Sequence, residues 1–360
     1  MDSTKRKSEN SEIGGEFYLD SLNLDKSANQ FVDLLKGFEF EFLVSGRSAI
    51  SYVINQTGGK NVLLPSYICQ SVIDAFEQKS FNIDFYDINK DLTINMQDFE
   101  KKCNDKIDIV YFINYYGQIQ PNDVLLEIKK QSKLKNFVII EDTTHSLFNE
   151  IKTIGDYCIA SLRKWSALPD GAVVYADTEN FKKSLIKDTG CHFSTLRLTA
   201  MILKSVYLKN DIQKSEDYRQ LFSDAEKIIE QSYEQTEITK LSKKILESID
   251  IKTLIEIRKQ NYNYLEKNLK NKIISPVLEK NSDNCKLFFP VYIKNRDGFQ
   301  KYLGENKIYC PIHWPIDDDR LLQFKNIDYI SKNIISIPID QRYNEDDMKF
   351  VCNILNNYKG

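Results

Sequence analysis

The sequence predicts an α/β protein that has a large domain built on a mostly parallel central sheet and a smaller C-terminal α+β domain. Short apolar runs alternate with stretches of helical periodicity from residue 38 to about residue 176. Residues 180–271 are highly charged and helical in pattern, and strand-like runs return after residue 286. Strands that alternate with helices imply crossover connections, and such connections produce parallel sheets.

The elements follow in chain order. A strand is predicted over 38–44, and residues 48–55 carry apolar side chains at helical spacing. Further strands of the large domain are predicted over 62–64, 81–86, 107–113, 137–140, 157–162 and 172–175. Those of the small domain are predicted over 287–293, 308–310 and 334–339. The predicted division is a flexible arm over 1–14, a large domain over 15–245 and a small domain over 246–360.

Composition excludes several classes of function. The 49 Lys and Arg nearly balance the 52 Asp and Glu, so the chain lacks the excess of basic residues that is typical of nucleic-acid-binding proteins. No apolar run approaches the roughly 20 residues that cross a membrane, and the polar start has no signal-peptide core. The seven cysteines are dispersed without C-x-x-C, a pattern of reduced thiols. We therefore expect a cytoplasmic protein with no membrane or nucleic-acid partner.

Common catalytic motifs do not occur. The sequence has no G-x-G-x-x-G, P-loop, G-x-S-x-G or H-E-x-x-H motif. The histidines, His145, His192 and His313, are too far apart in sequence to suggest a local metal site, so no metal is predicted.

Three weaker features stand at the carboxyl ends of predicted strands, where open α/β sheets bind ligands. The first is the turn at residues 45–49, in which Gly46, Arg47 and Ser48 could hold an anion at a helix N-terminus. The alternative is an ordinary turn capped by Ser48.

The second feature is the acidic strand end that contains Asp142, followed by His145. A carboxylate there could keep a heterocyclic nitrogen protonated, because the opposite charge favours the charged form. The alternatives are a helix cap by Asp142 and a structural role for His145.

The third feature is Lys164, beside Leu162 and Trp165. A lysine that loses solvation becomes nucleophilic towards an aldehyde. An isolated lysine is more often a surface residue, so the order of the three features along the chain matters more than any one of them.

In that order the features resemble the fold-type-I pyridoxal-phosphate (PLP) enzymes, and more narrowly the DegT/DnrJ/EryC1/StrS family of sugar aminotransferases. The resemblance covers most of the chain. Its motifs are EIGGEFYL at residue 12, LPSYICQSV, INYYGQ, IEDTTHSLF, GDYCIASLRKW, PDGA, PIHWP and IPIDQRY near the C-terminus.

The resemblance implies roles for individual residues. Lys164 would bind the cofactor aldehyde covalently and shuttle a proton, Asp142 would pair with the pyridinium nitrogen, and His145 would lie next to the ring. The phosphate would be held by Gly46, Arg47, Ser48 and Ser161. Cys69 stands where many members have a ring-stacking aromatic residue, while Tyr116 and His313 match positions close to the substrate.

Two departures from the family pattern concern spacing and a missing loop. Lys164 follows Ser161 by three residues instead of five. The Gly-x-Asn-x-Arg loop that often reaches a neighbouring subunit's phosphate is not evident near residues 190–197.

The implied activity is transfer of an amino group from an amino acid, L-glutamate by resemblance, to a keto-sugar. The sugar would be nucleotide-linked, for surface-polysaccharide or secondary-metabolite synthesis, and the protein would be a homodimer. Two alternatives stay open. One is a sugar dehydratase, although related dehydratases replace the lysine with histidine, and the other is a catalytically degenerate member that acts as a binding or regulatory subunit.

Overall fold

The computed structural model describes residues 12–20, 24–149, 153–177, 181, 192–209, 215–231, 235–280 and 283–360. The strands are β1 (Ile13–Gly14), β2 (Glu39–Leu43), β3 (Asn61–Pro65), β4 (Asn82–Tyr86), β5 (Ile109–Ile113), β6 (Val138–Asp142), β7 (Tyr157–Ser161), β8 (Ala172–Ala176), β9 (Ser275–Pro276), β10 (Phe289–Tyr292), β11 (Ile308–Tyr309) and β12 (Ile334–Ile337). The helices are α1 (Gly46–Thr57), α2 (Gln70–Glu77), α3 (Met96–Lys102), α4 (Asn122–Lys135), α5 (His192–Lys209), α6 (Ser215–Glu230), α7 (Lys240–Ser248), α8 (Ile251–Asn268), α9 (Arg296–Glu305), α10 (Lys325–Asn333) and α11 (Glu345–Asn357). Short 3₁₀ helices cover Phe31–Leu35, Tyr115–Gly117, Leu162–Lys164 and Asp319–Gln323.

A seven-stranded sheet forms the centre of the large part of the molecule, in the order β2-β8-β7-β6-β5-β3-β4. The five strands from β7 to β4 in that order are parallel, while β8 is antiparallel to both β7 and β2. Every residue of β5 and β8 is buried, as expected for a sheet covered on both faces. The predicted α/β class with a mostly parallel sheet is confirmed.

The topology brings three strand ends to one edge of this sheet. Because β2 and β7 are both antiparallel to β8, they point in the same direction as β6. Their carboxyl ends therefore meet, and each is followed by one of the three features that the sequence singled out. A side-chain carbon added at Gly46, the first residue of α1, would stand 3.7 Å from Cβ of Ser161 at the end of β7.

The C-terminal part contains a smaller antiparallel sheet in the order β12-β10-β9. The helix α11 packs on α8, and α9 packs near β11 and β12. One hydrophobic core runs from strands of the large sheet, such as Ile109 and Ile140, to Phe289, Ile335 and Val351 of the C-terminal part. The division at residues 245 and 246 falls inside α7, and the proposed domain boundaries stay a prediction.

The last three residues of the predicted N-terminal arm are part of the folded structure. Ile13 and Gly14 form β1, which pairs in parallel with β11. The carboxylate of Glu12 lies 2.6 Å from Nζ of Lys204, and both side chains are almost completely buried. Residues 1–11 of the predicted arm lie outside the described residues.

The PDGA motif has a structural role that the sequence did not indicate. Asp170 is fully buried, and its carboxylate accepts hydrogen bonds from the backbone N–H and hydroxyl of Thr239 and from the hydroxyl of Ser242. Thr239 is the N-cap of α7. Asp170 therefore fixes the start of α7 to the turn before β8.

Of the helices described, none has the length and apolar character that a membrane span requires.

Candidate active site

A cavity of about 210 Å³ opens at the shared edge of β2, β6 and β7. All three of the features singled out in the sequence contribute to its wall. The predicted site residues that line it are Gly46, Arg47, Cys69, Asp142, His145, Ser161 and Lys164.

Asp142 ends β6 and is held by two hydrogen bonds. The Tyr111 hydroxyl donates to Oδ2 at 2.7 Å, and the backbone N–H of Thr144 donates to Oδ1 at 2.8 Å. Burial raises the pKa of Asp142, while these hydrogen bonds and the positive charge of Lys164 act against the rise. The carboxylate is thus fixed in position, and a cationic partner in the cavity would favour its ionised form.

His145 lies in the wall of the cavity as a neutral imidazole. Its Nδ1 accepts a hydrogen bond from the backbone N–H of Tyr116 at 3.2 Å, which leaves the ring proton on Nε2. Burial, and then the charge of Lys164, hold the pKa of His145 well below 6.5. The Trp314 ring stacks on the imidazole at 5.4 Å between centroids. Trp314 also lines the cavity; it was not among the predicted site residues, although the PIHWP motif contains it.

The turn at residues 45–49 leads into α1, and its cap differs from the one that the sequence suggested. Ser45, and not Ser48, is the N-cap: its Oγ accepts the backbone N–H of Ser48 at 3.1 Å. The Ser48 hydroxyl lies 3.0 Å from Oγ of Ser45 and is fully buried, so it does not line the cavity. Ser45, Gly46 and Arg47 form the wall instead. The first backbone N–H groups of α1 suit an anion at this end.

Lys164 closes the 3₁₀ helix that follows β7. Its segment is anchored by the Trp165 indole N–H, which donates to the carbonyl of Thr144 at 2.7 Å, and by the N–H of Leu162, which donates to Gly171 at 3.0 Å. Trp165 itself is buried against Arg258 and does not line the cavity. Lys164 thus projects from a fixed turn that also ties β7 to the Asp142 loop.

A larger cleft of about 750 Å³ adjoins the cavity and is lined by residues of both the large domain and the C-terminal part. Ser161, Arg163 and Lys164 line both the cavity and the cleft. The predicted substrate residue His313 lines the cleft. Lys164 therefore stands where a group in the small cavity would meet a molecule in the large cleft.

Tyr116, the other predicted substrate residue, lines neither the cavity nor the cleft. It is fully buried, and its hydroxyl lies 3.3 Å from the Ser336 hydroxyl and 3.4 Å from that of Tyr67. Ser336 in turn contacts Nδ1 of His313 at 2.9 Å. Tyr116 thus connects His145 to His313 from behind the cavity.

Within the described ranges, no group of three or more His, Cys, Asp or Glu could hold a metal ion.

The two buried histidines predict a pH dependence of stability. The pKa of His145 and of His313 is held well below 6.5 by burial and by the charge of Lys164, so both stay neutral in the folded chain. The unfolded chain gains their protons as the pH falls through about 6.5, which favours unfolding. When the pH is lowered from 7.5 to 5.5, protonation of each histidine in the unfolded chain should decrease the free energy of unfolding by about 1.4 kcal/mol.

Urea unfolding of the cofactor-free protein at these two pH values measures the effect. In His313→Asn the amide can retain the contact with Ser336. The decrease in the free energy of unfolding between pH 7.5 and 5.5 should be smaller in this variant than in the wild type by about 1.4 kcal/mol. An equal loss in both proteins would contradict the prediction.

Comparison with known proteins identifies the fold. No family model matches the chain, and no curated protein matches its sequence. Among solved structures, the Streptococcus pneumoniae protein Spr1654, named as a sugar aminotransferase and solved in its PLP form, has a TM-score of 0.66 at 12% identity, over 91% of this chain and 88% of that chain. A DegT DnrJ EryC1 StrS aminotransferase from Brucella abortus has a TM-score of 0.65 at 14% identity, over 93% and 92%. The Helicobacter pylori aminotransferase PseC, involved in the biosynthesis of pseudoaminic acid, has a TM-score of 0.64 at 13% identity, over 90% and 88%. The chain has the fold of these aminotransferases.

Proposed function

We propose that this protein is a PLP-dependent aminotransferase that moves an amino group from an amino acid to a keto-sugar. The observation that carries the proposal is the cavity in which Lys164, Asp142 and the Ser45–Arg47 turn face the same space. An amine, a carboxylate and a set of backbone N–H groups match the aldehyde, the ring nitrogen and the phosphate of pyridoxal phosphate. The residues present therefore fit this cofactor.

When bound, pyridoxal phosphate supplies an electron sink for negative charge at the carbon that carries the amino group. The ionised Asp142 would hold a proton on the ring nitrogen, because opposite charges favour the protonated form. Nζ of Lys164 would accept a proton from the substrate carbon that carries the amino group. It would then return the proton to the cofactor carbon bonded to the same nitrogen. His145 would offer its Nε2–H as a neutral donor, since its Nδ1 already accepts from Tyr116.

The position of Lys164 between the cavity and the cleft supports a reaction in two halves. A donor that enters the cleft would give up its amino group and leave before the acceptor binds, which predicts ping-pong kinetics. Spr1654, which shares the fold, has been solved in both a PLP form and a PMP form. We propose the same two cofactor states here.

The donor in this proposal is L-glutamate and the acceptor is a nucleotide-linked keto-sugar. The wall of the cleft of about 750 Å³ carries five basic side chains (Arg163, Arg197, Arg258, Arg342 and Lys164) against three carboxylates (Glu16, Glu226 and Asp340). This excess of positive charge suits a large anionic molecule. We further propose a cytoplasmic homodimer that serves surface-polysaccharide or secondary-metabolite sugar synthesis.

A panel of keto-sugar nucleotides with L-glutamate and added PLP tests the activity. We expect the mass of an aminated sugar nucleotide for at least one acceptor, and parallel lines in double-reciprocal plots. Borohydride should fix the cofactor to Lys164, which peptide mass spectrometry would locate.

Each alternative gives a different result. A dehydratase would yield a product that has lost water without gaining nitrogen. A degenerate binding subunit would stay colourless with added PLP, and no lysine would be labelled. Either result would overturn the proposal.

A further inference from the structure

A chain of hydrogen bonds joins two hydroxyl groups to a histidine in the wall of the large cleft. The Tyr116 hydroxyl donates to the backbone carbonyl of His313 at 3.4 Å, and the Ser336 hydroxyl donates to Oη of Tyr116 at 3.3 Å. Oγ of Ser336 lies 2.9 Å from Nδ1 of His313. Tyr116 and Ser336 are completely buried. The order of donors and acceptors in this chain is therefore set by the protein and not by solvent.

The direction of the chain follows from its fixed end. A carbonyl oxygen can only accept a hydrogen bond, so the Tyr116 proton points to the His313 carbonyl and Oη of Tyr116 is left to accept. Ser336 has a single hydroxyl proton, which it gives to that oxygen. The contact between Oγ of Ser336 and Nδ1 of His313 then requires a proton on Nδ1. Because burial holds the pKa of His313 well below 6.5, the ring is neutral and its Nε2 carries no proton.

The neighbouring His145 has the opposite tautomer. Its Nδ1 accepts the backbone N–H of Tyr116, so its ring proton is on Nε2. The two imidazoles are 5.7 Å apart between centroids, and Tyr116 contacts both residues. One histidine thus offers a hydrogen-bond donor to the cavity, and the other offers an acceptor to the cleft.

Nε2 of His313 is the atom of this chain that a ligand can reach. It has no hydrogen-bond partner within the described residues, and it is not one of the side-chain nitrogen and oxygen atoms that are buried without a partner. It therefore retains accessible surface, and His313 lines the cleft. Lys164 lines the same cleft, and its charge helps to lower the pKa of His313. A ligand at Nε2 would accordingly lie near the reacting amine.

We propose that Tyr116 and Ser336 are positioning residues that hold His313 in the Nδ1–H tautomer, so that its Nε2 accepts a hydrogen bond from a hydroxyl group of the substrate. A bare ring nitrogen cannot bind a carbonyl oxygen, since neither atom carries a proton. It selects a molecule that has a hydroxyl group next to the reacting carbon. Sugars carry such groups, whereas an ionised 2-oxo acid has none. The identification of this molecule as a keto-sugar rests on the proposed function, but the tautomer does not.

¹⁵N NMR of the full-length protein labelled in histidine reads the tautomer directly, because a protonated and a bare ring nitrogen have very different chemical shifts. The chain has three histidines, so the variants His192→Gln and His313→Asn assign every signal. We expect a proton on Nδ1 of His313 and on Nε2 of His145 in the protein without added PLP.

Tyr116→Phe should change the tautomer of a residue that it does not replace. Without Oη of Tyr116, the Ser336 hydroxyl can give its proton to Nδ1 of His313, and the ring proton should move to Nε2. A hydrogen bond of the usual net strength corresponds to about a fivefold change in the ratio of the two tautomers. Ser336→Ala removes the partner of Nδ1 altogether and should lower the Nδ1–H share by a similar factor. It carries the test if urea unfolding shows that Tyr116→Phe does not fold.

The matched control is Tyr67→Phe. The Tyr67 hydroxyl lies 3.4 Å from that of Tyr116 and, within the ranges that the structure describes, has no hydrogen bond to Ser336. Because the Tyr116 proton stays on the His313 carbonyl, this variant should keep the wild-type tautomer. A general loosening of the buried hydroxyl cluster would instead affect both tyrosine variants alike.

Substrate selection is measured on the PLP-loaded enzyme, with the best keto-sugar acceptor and its analogue that lacks the hydroxyl group next to the ketone. The preference for the hydroxylated acceptor, expressed as the ratio of the two kcat/KM values, should be about tenfold smaller in Tyr116→Phe than in the wild type. The intrinsic reactivities of the two acceptors cancel in this comparison. Tyr67→Phe should keep the wild-type preference.

Each part of the inference has an outcome that contradicts it. A proton on Nε2 of His313 in the wild type, or an unchanged tautomer in both Tyr116→Phe and Ser336→Ala, would overturn it. An undiminished preference in Tyr116→Phe would refute the selection of a hydroxyl group. If no keto-sugar is aminated while His313 changes its tautomer as expected, the proposed function is wrong and the role of Tyr116 and Ser336 is supported.

Discussion

Lys164→Ala should lower kcat by about 10⁴-fold or more and leave the protein folded. The substitution removes both the covalent anchor and the base, and a positioned base alone contributes about 10²–10⁴-fold. The free energy of unfolding should change little, because Lys164 has no hydrogen bond or ion pair within the described residues. The side chain acts on its surroundings through its charge, which helps to lower the pKa of the buried His145. Steady-state kinetics with glutamate and the acceptor, together with urea unfolding, measure the two effects.

Lys164→Arg is the matched control for charge. It keeps a cation next to Asp142 and His145 but cannot attack an aldehyde at neutral pH, because the arginine pKa is above 12. We therefore expect it to be as inactive as the alanine variant. Added methylamine should restore part of the activity of Lys164→Ala, since a free amine can enter the space that the side chain left. Full activity of either variant without added amine would refute the role of Lys164.

The sheet could be predicted from the sequence because its strands are short apolar runs between turn residues. The strand predicted over 107–113, for example, corresponds to β5 at Ile109–Ile113. Strand order was harder to foresee, since it depends on contacts between distant segments. The antiparallel placement of β8 between β2 and β7 results from such contacts, yet it is this placement that brings the turn at Gly46 next to Ser161.

The site was predictable where a residue type carries its own chemistry. Lys164, Asp142 and His145 followed from their positions after strands and from the family resemblance, and the structure places all three around one cavity. Trp314 and Glu226 carried no comparable signal. Trp314 reaches His145 only because the C-terminal part folds back over the sheet edge, and Glu226 meets Arg163 across 63 residues of sequence. Single-sequence patterns do not encode such long-range contacts.

Asp142→Asn should lower kcat by about 10³-fold without disturbing the site. The amide can still accept from the N–H of Thr144 and can donate to the Tyr111 oxygen, so the two hydrogen bonds that fix residue 142 have replacements. What is lost is the negative charge that favours a protonated ring nitrogen. An opposite charge at close range shifts a pKa by about 1–3 units, and three units correspond to about 4 kcal/mol.

The pH profile separates a lost charge from a disturbed structure. In Asp142→Asn the ring nitrogen would take its proton from water, so kcat should rise as the pH is lowered, with a steeper dependence than in the wild type. A cofactor analogue methylated at the ring nitrogen carries a fixed positive charge and should restore much of the activity. Tyr111→Phe, which removes one hydrogen bond to Asp142 and keeps its charge, should cost about tenfold or less. An equal loss in Tyr111→Phe and Asp142→Asn, with no rescue by the methylated cofactor, would mean that residue 142 acts by supporting the fold of the cavity and not by its charge.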